Sequence, residues 1–367
     1  MTGEETREWL WLAHVLGPCN PRSLDVMRTF ETPRMLKQHI ADAVRLHLLT
    51  PVAAEAAKSL SFEDMAGVEN QCGELGVAVV AFDQPDYPDT LRELDSAPPV
   101  LYVKGDVTVL KAPLIFGIIG TRRPSAYGIE ATRAIAKPLA EAGAVLVSGL
   151  ASGLDGEAHK AALAAQMPTI ACIAYGHDHC YPAEHRTLKR LIEQTGAVVG
   201  EYPPGTRPMR HQFLQRNRLI AGLARGICVA EARRKSGTMN TVSSAIEFGR
   251  DVFAVPGSIF SPLCEGTNDL IKNGAAAVTC AQDILTWYGL SERAPEETAA
   301  KPEKSDASLS ETARTVRKAL NFTPQSCEQL CGKTGLAPRA VLAALTELEL
   351  EGFAEQKAGR LFCLPTE

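Results

Sequence analysis

The run Arg210-His211-Gln212-Phe213-Leu214-Gln215-Arg216-Asn217-Arg218 carries the chemistry most easily read from this chain. Between Arg207 and Lys235 stand eight basic residues (Arg207, Arg210, Arg216, Arg218, Arg225, Arg233, Arg234 and Lys235) and one acid, Glu231. That window is net +7 in a chain of net −5, so the charge is placed locally. Cations interleaved with an aromatic suit a single nucleic-acid strand, because cations neutralise phosphates and a ring offers a face on which any base can stack. Downstream, Lys235-Ser236-Gly237-Thr238 lies between the apolar run Gly226–Ala230 and a helical pattern ending near Phe248. A strand, a turn of small residues and a helix start together make an anion site from backbone N–H groups and the helix dipole.

Other groups compete for a chemical reading. Gly120-Thr121-Arg122 and Ser148-Gly149 sit where nucleotide phosphates sit in Rossmann-type folds, yet neither is GxGxxG, and Lys235-Ser236-Gly237-Thr238 lacks GxxxxGK[ST]. A conventional dinucleotide site or P-loop ATPase is therefore excluded. Such glycine turns could simply close the fold, but Arg122, Arg123 and Lys235 beside them favour an anion. His177-Asp178-His179-Cys180 with His185 resembles a metal cluster, but its groups are too close in sequence to ligate one ion without a distant further ligand. No metal or cofactor is expected. Asp155, Glu157 and His159 open a helix, where acids favour the dipole. Cys327 and Cys331 read as half-buried thiols.

The elements that must position these residues follow from periodicity. From Leu114 the chain repeats strand, loop and helix: apolar strands at Leu114–Ile119, Ala144–Val147, Thr169–Ala174, Val198–Gly200, Gly226–Ala230 and Asp251–Val255, with helices at Ile129–Glu141, Gly156–Ala165, Arg186–Gln194 and Thr241–Phe248. Buried strands alternating with helices predict an α/β fold, an extended Rossmann-like parallel sheet core. Ligands of such sheets bind beyond the carboxyl ends of the strands, where the Gly120, Ser148, Gly176 and Lys235 loops should gather. Residues 1–60 read as short helices, a small helical domain of the sterile-alpha-motif or helix-hairpin-helix kind. Residues 61–290 form the core, with 61–105 connecting and Val77–Phe82 within it reading as a strand. Residues 291–309, poor in large apolar groups, read as a linker. Residues 310–367 match a winged-helix domain: helices near Glu311–Leu320, Ser326–Thr334 and Pro338–Glu351, and a hairpin turning at Ala358-Gly359. Its last helix carries Arg339 against Glu347, Glu349 and Glu351, which suits a protein contact, or weak DNA contact through Lys357 and Arg360, better than DNA reading by the helix.

Composition bounds the class. A chain of 367 residues, 45% hydrophobic and 22% charged, is globular and holds two or three domains. No apolar run reaches the ~18 residues of a membrane span. The acidic start Met1-Thr2-Gly3-Glu4-Glu5 is unlike a secretory signal, and ten cysteines without a CxxC pair read as reduced thiols, so a cytoplasmic setting is expected. From Arg122 to Asp283 there are 18 Lys+Arg against 14 Asp+Glu, net +4, leaving about −9 for the rest. The middle is electrostatically distinct.

The chain resembles the DNA-processing protein A (DprA, or Smf) family. The resemblance lies in Tyr87-Pro88 to Lys104-Gly105, Gly120–Gly128, Ser148–Gly153, Tyr181-Pro182-Ala183-Glu184, Glu201–Gly205, Phe213–Leu223, Lys235–Thr238 and Val255-Pro256-Gly257. Leu214, His185 and Thr241-Val242 depart from the usual pattern. The resemblance implies a dimeric extended Rossmann-like core that binds single-stranded DNA without sequence preference, more strongly than double-stranded DNA. It also implies that the protein helps load the RecA recombinase during natural transformation, with no enzymatic turnover. By position, Arg122, Ser148, Gly149, Arg210, Phe213, Arg216, Asn217, Lys235, Ser236, Gly237 and Thr238 would form the DNA site. The competing reading is a nucleotide-processing enzyme of the lysine-decarboxylase-like Rossmann group, a phosphoribohydrolase using Gly237-Thr238 and Glu247. Nine residues of helix separate that carboxylate from the turn.

Overall fold

Nine strands form one sheet in the computed structural model, which describes residues 3–290, 309–322, 324–357 and 359–364. They are β1 (Ala78–Ala81), β2 (Val100–Gly105), β3 (Ile115–Ile119), β4 (Val145–Ser148), β5 (Thr169–Ile173), β6 (Ala197–Gly200), β7 (Gly226–Val229), β8 (Asp251–Ala254) and β9 (Ala276–Ala277). Their order is β1-β2-β6-β5-β4-β3-β7-β8-β9. From β6 to β9 every pair is parallel. The sheet is not wholly parallel, as the sequence suggested: β1 and β2 join it antiparallel at one edge. β1 falls within the strand expected at Val77–Phe82, whereas β2 lies in the part of the connecting segment where Pro98-Pro99 obscure a strand pattern.

The chain leaves β3 in one direction through β4, β5 and β6, then returns to the other side of β3 through β7, β8 and β9. The reversal falls between the carboxyl ends of β3 and β7, where open α/β sheets bind ligands. Strands β3 to β7 are buried along their length. Alternate residues of β3 serve opposite faces, as the pleat requires. Ile115 and Ile119 meet α11 (Arg210–Leu223) and α12 (Gly237–Glu247) through Leu219, Leu223 and Val242. Phe116 and Ile118 meet α8 (Ala126–Glu141) and α9 (Leu154–Ala164) through Ile135, Leu139 and Ala158. Helices α10 (Arg186–Thr195), α13 (Glu265–Lys272) and α14 (Ala281–Trp287) complete the layers.

The N-terminal helices run past residue 60: α1 (Gly3–Leu16), α2 (Ser23–Phe30), α3 (Pro33–Gln38), α4 (Ile40–Arg45), α5 (Pro51–Ser59) and α6 (Ala66–Leu75). They share one apolar core with the sheet edge, in which Trp9, Trp11 and Phe30 pack with Val77, Ala81, Val100 and Tyr102. A short α7 (Asp89–Arg92) follows β1.

The described residues from 309 onward are a separate compact unit. It contains α15 (Glu311–Ala319), α16 (Cys327–Thr334) and α17 (Pro338–Leu350). Three short strands, β10 (Gln325–Ser326), β11 (Glu355–Lys357) and β12 (Leu361–Cys363), pair in the order β10-β12-β11. Of the stripe Val341, Leu342, Leu345, Leu348 expected as core, Val341, Leu345 and Leu348 are buried, joined by Leu309 from the expected linker, while Leu342 faces solvent at 49% exposure because it lies on the neighbouring helical face. Residues 291–308 of that linker, and Ala358 of the hairpin turn, lie outside the described residues. No described helix is long and apolar enough to cross a membrane.

Candidate nucleic-acid interface

The β3 loop is held from three sides. Glu231, at the end of β7, is 1% exposed, and its carboxylate accepts the Ser125 N–H at 2.9 Å and the Ser125 hydroxyl at 2.6 Å. Its carbonyl accepts the Thr121 N–H at 2.8 Å. The Thr238 hydroxyl donates to the Gly120 carbonyl at 3.1 Å, and the Leu154 N–H to the Thr121 carbonyl at 3.2 Å. Ser125 also caps α8, accepting from Gly128 N–H at 3.1 Å. A Cβ on Gly128 would come within 2.5 Å of the Glu231 carboxylate, so this approach requires glycine. With the backbone fixed, Arg122 and Arg123 project into solvent, and neither has an ion-pair partner among the described residues.

Helix α11 supplies the opposite wall. The Gln212 side chain accepts the Met209 N–H at 2.7 Å at the helix start. Positions 210, 213, 214, 217 and 220 share one face by helical spacing, and all five residues line a cleft of about 670 Å³. Thr121, Arg122, Arg123, Asp155, Arg233, Ser236, Gly237, Thr238 and Leu263 line the same cleft. It therefore opens at the β3/β7 reversal. The sequence had left the Arg210–Leu223 run without an assigned element; as a helix it sorts cleft from core residue by residue.

Phe213 sits at the centre of an aromatic and cationic group. Its ring centre is 5.2 Å from that of Tyr181 and 6.4 Å from that of Tyr175. The guanidinium carbons of Arg122 and Arg216 lie 5.7 and 5.9 Å from the ring centre. Tyr181, half exposed, was read from sequence only as part of a turn; an aromatic after a strand of this edge was the available signal. Helix α12 starts at Gly237, four residues earlier than its apolar pattern indicated. Ser236 is the N-cap residue but makes no side-chain cap bond, and its hydroxyl has no partner among the described residues. The first turn of α12 thus opens toward the cleft through Ser236, Gly237 and Thr238. Asn217 donates toward the Gly237 carbonyl at 3.4 Å and Asn240 Oδ1 at 3.3 Å.

Three expected site residues, Ser148, Gly149 and Lys235, lie outside the cleft lining, and a fourth, Arg216, forms its buried floor. Ser148 is 1% exposed and donates its hydroxyl to the Ile118 carbonyl at 2.6 Å. Gly149 is buried and its carbonyl accepts from Arg216. Arg216 is 3% exposed; it holds the carbonyls of Gly149 and Cys172 and forms the cleft floor. These three frame the site from below. Lys235 is exposed but lies outside the cleft wall. Asp155 and Arg216 share the floor. Burial raises the Asp155 carboxyl above the ordinary carboxylate range and lowers the Arg216 guanidinium, each shift opposed by the partner's charge.

The linear +7 window is dispersed by the fold. Arg218 pairs with Glu201 inside the protein. Arg234 pairs with Asp269 at 2.5 Å, and Arg225 stacks over Tyr288 at 4.5 Å. The cations left for a ligand in the wall are Arg122, Arg123, Arg210 and Arg233. The histidine loop is also spent on structure: His177 Nε2 bonds the Tyr102 carbonyl at 2.9 Å, His185 Nδ1 the Leu150 carbonyl at 2.9 Å, and Asp178 accepts Gly205 N–H at 2.9 Å. Among the described residues no three His, Cys, Asp or Glu are arranged to hold a metal. Glu247 closes the far end of α12, roughly 15 Å along the axis from Gly237, so the Gly237-Thr238/Glu247 pair does not assemble.

The profile of a family described as DNA recombination-mediator protein A matches residues 78–289, and that of the DprA winged helix domain matches residues 300–360. DNA processing protein DprA of Bacillus subtilis is 41% identical over 212 residues, 58% of this chain and 71% of that protein. Protein Smf of Escherichia coli is 34% identical over 324 residues, 86% of each chain. The X-ray structure of DNA processing protein A from Streptococcus pneumoniae superposes with a TM-score of 0.68 at 34% identity, covering 76% of this chain and 97% of that one. A structure of the Helicobacter pylori protein, described as showing its single-stranded DNA binding mode, matches with a TM-score of 0.53 at 31% identity, covering 58% and 97%.

Proposed function

The chain belongs to the DNA recombination-mediator protein A family, and from that premise we propose that its cleft binds single-stranded DNA without regard to sequence. The observation that carries this reading is the cleft itself: Arg122, Arg123, Arg210 and Arg233, none of them in an ion pair among the described residues, surround the aromatic face of Phe213 at the sheet's reversal point. Phosphates are held by these arginines and by the open first turn of α12 at Ser236, Gly237 and Thr238. Lys235 adds attraction from outside the wall. A base stacks on the Phe213 side, with Asn217 keeping α11 and α12 in register. Nothing in this arrangement reads a base edge, so affinity is electrostatic and stacking in origin. The described binding mode of the Helicobacter pylori relative supports the choice of ligand.

The protein acts without turnover, as a homodimer through its α/β core, in the cytoplasm. It protects incoming single strands during natural transformation and helps load the RecA recombinase on them. Double-stranded DNA binds less well, because its bases are already stacked and paired. The test is a binding isotherm for oligo-dT and for a duplex of equal length at two salt concentrations. Tighter, salt-dependent binding of the single strand is expected; an unchanged isotherm for Arg122→Ala combined with Arg210→Ala would remove the cleft from the account.

A further inference from the structure

Ile259 and Phe260 stand side by side in solvent, 82% and 89% exposed, on the loop that also sends Leu263 into the cleft wall. The loop joins β8 to α13 and is pinned at both ends. Gly257 N–H donates to Asn268 Oδ1 at 3.2 Å, and Asn268 Nδ2 donates to the Gly257 carbonyl at 3.0 Å. The Tyr127 hydroxyl donates to the Pro256 carbonyl at 2.5 Å. At the other end Gly266 N–H donates to the Ala232 carbonyl at 2.9 Å, beside Arg233 of the cleft wall. The two apolar side chains are therefore held out on a fixed base.

A partner protein is a poor occupant. A stable protein interface buries about 800 Å² per side, and two side chains supply a small part of that. One ring matches one base. The same loop is continuous with a wall carrying the cations Arg123 and Arg233, the combination of ring and cation already present at Phe213. We propose that Ile259 and Phe260 form an outer stacking platform for bases of a single strand as it passes beyond the cleft. This rests on the cleft reading above and adds to it a second contact, which sets the length of strand the protein holds.

The experiment uses the full chain and fluorescent oligo-dT of about 6 and about 20 nucleotides, lengths within and beyond one binding groove. A further strand of about 20 nucleotides is abasic outside its first few positions. Phe260→Ala should weaken the long strand roughly 5- to 100-fold and leave the short and abasic strands unchanged. Phe260→Trp should restore the long-strand affinity. Three results would overturn the proposal: equal affinity of Phe260→Ala and the unsubstituted chain for the long strand, an equal loss on the abasic strand, or an equal loss on both lengths accompanied by a change of oligomeric state. If the unsubstituted chain binds neither length, the cleft reading itself fails; if it binds both and Phe260→Ala changes nothing, only the outer platform fails.

Discussion

The guanidinium carbon of Arg122 stands 5.7 Å from the centre of the Phe213 ring. Arg122 comes from the β3 loop and Phe213 from α11, so this contact bridges the cleft. A cation over a ring contributes about 0.5–1 kcal/mol at an exposed site. Base stacking contributes about 1–3 kcal/mol, so an arriving base can displace the arginine from the ring and leave it to a phosphate. On the proposed reading, Arg122 covers the ring in the free protein and moves to the strand's backbone in the complex.

Phe213→Ala should weaken single-strand binding by about 1–3 kcal/mol, while Phe213→Trp should keep most of the affinity, since any π face serves. Anisotropy titration of the two variants against oligo-dT checks this. Retention of full affinity by the alanine variant would show that bases are held elsewhere.

The dispersal of the basic window gives a second expectation. Arg122→Ala, Arg210→Ala and Arg233→Ala should each lower the slope of log affinity against log salt by about 0.7, the value per neutralised phosphate on a single strand. Arg225→Ala and Arg234→Ala should leave the slope unchanged, because Arg225 is committed to Tyr288 and Arg234 to Asp269. A count of charge along the sequence would rank all five alike.

Glu231 is the counterpart of those cations: a buried acid in a basic segment, spent on positioning. Glu231→Ala removes both acceptors of the Ser125 hydrogen bonds and leaves the partly buried Ser125 N–H unpaired, a loss of about 1 kcal/mol or more in stability. It also frees the loop that carries Arg122. Affinity should fall although a negative charge near the cleft has been removed. Tm and the binding isotherm together check this; tighter binding would mean that Glu231 acts by charge and not by placement.

The alternation of strands and helices along the chain was legible because β3, β4, β5 and β7 are buried on both faces and read as continuous apolar runs, whereas their order across the sheet was not. The winged-helix unit was legible because α17 keeps its stripe Val341, Leu345, Leu348. What stayed hidden is tertiary. Nothing in Arg216 distinguishes it from Arg210 in a linear pattern; only the helical turn sends one to the Gly149 and Cys172 carbonyls and the other to solvent. Ser148 and Gly149 end their strand as expected, yet the α11 guanidinium lies across them. β1 is legible as the apolar run Val77–Phe82, whereas β2 is hidden because Pro98-Pro99 lead into it, and nothing local announces that both pair antiparallel. Tyr181 meets Phe213 only once the loop after β5 is brought against α11.

Two buried histidines should weaken the core unit in acid. The Thr169 hydroxyl donates to the Leu146 carbonyl at 2.7 Å, so it accepts from His159 Nδ1–H at 2.8 Å, leaving His159 Nε2 unprotonated and without a partner. His177 Nε2–H donates to the Tyr102 carbonyl, leaving Nδ1 in the same condition. Burial, with Arg216 and His185 facing His159, pulls its pKa down to about 3. Burial, opposed by the Tyr102 hydrogen bond and Asp178 and assisted by Lys189 and Lys104, pulls His177 down to about 4. A depressed folded pKa means the unfolded chain binds the extra proton. Stability is therefore complete above the unfolded value of 6.5 and is lost as pH falls toward 4 and 3, at up to about 1.4 kcal/mol per pH unit for each ring. Tm should drop between pH 7.5 and 5, and His177→Gln should lose less of its Tm over that interval than the unsubstituted chain, even if it starts lower. A parallel drop in both proteins would show that His177 does not contribute to that weakening.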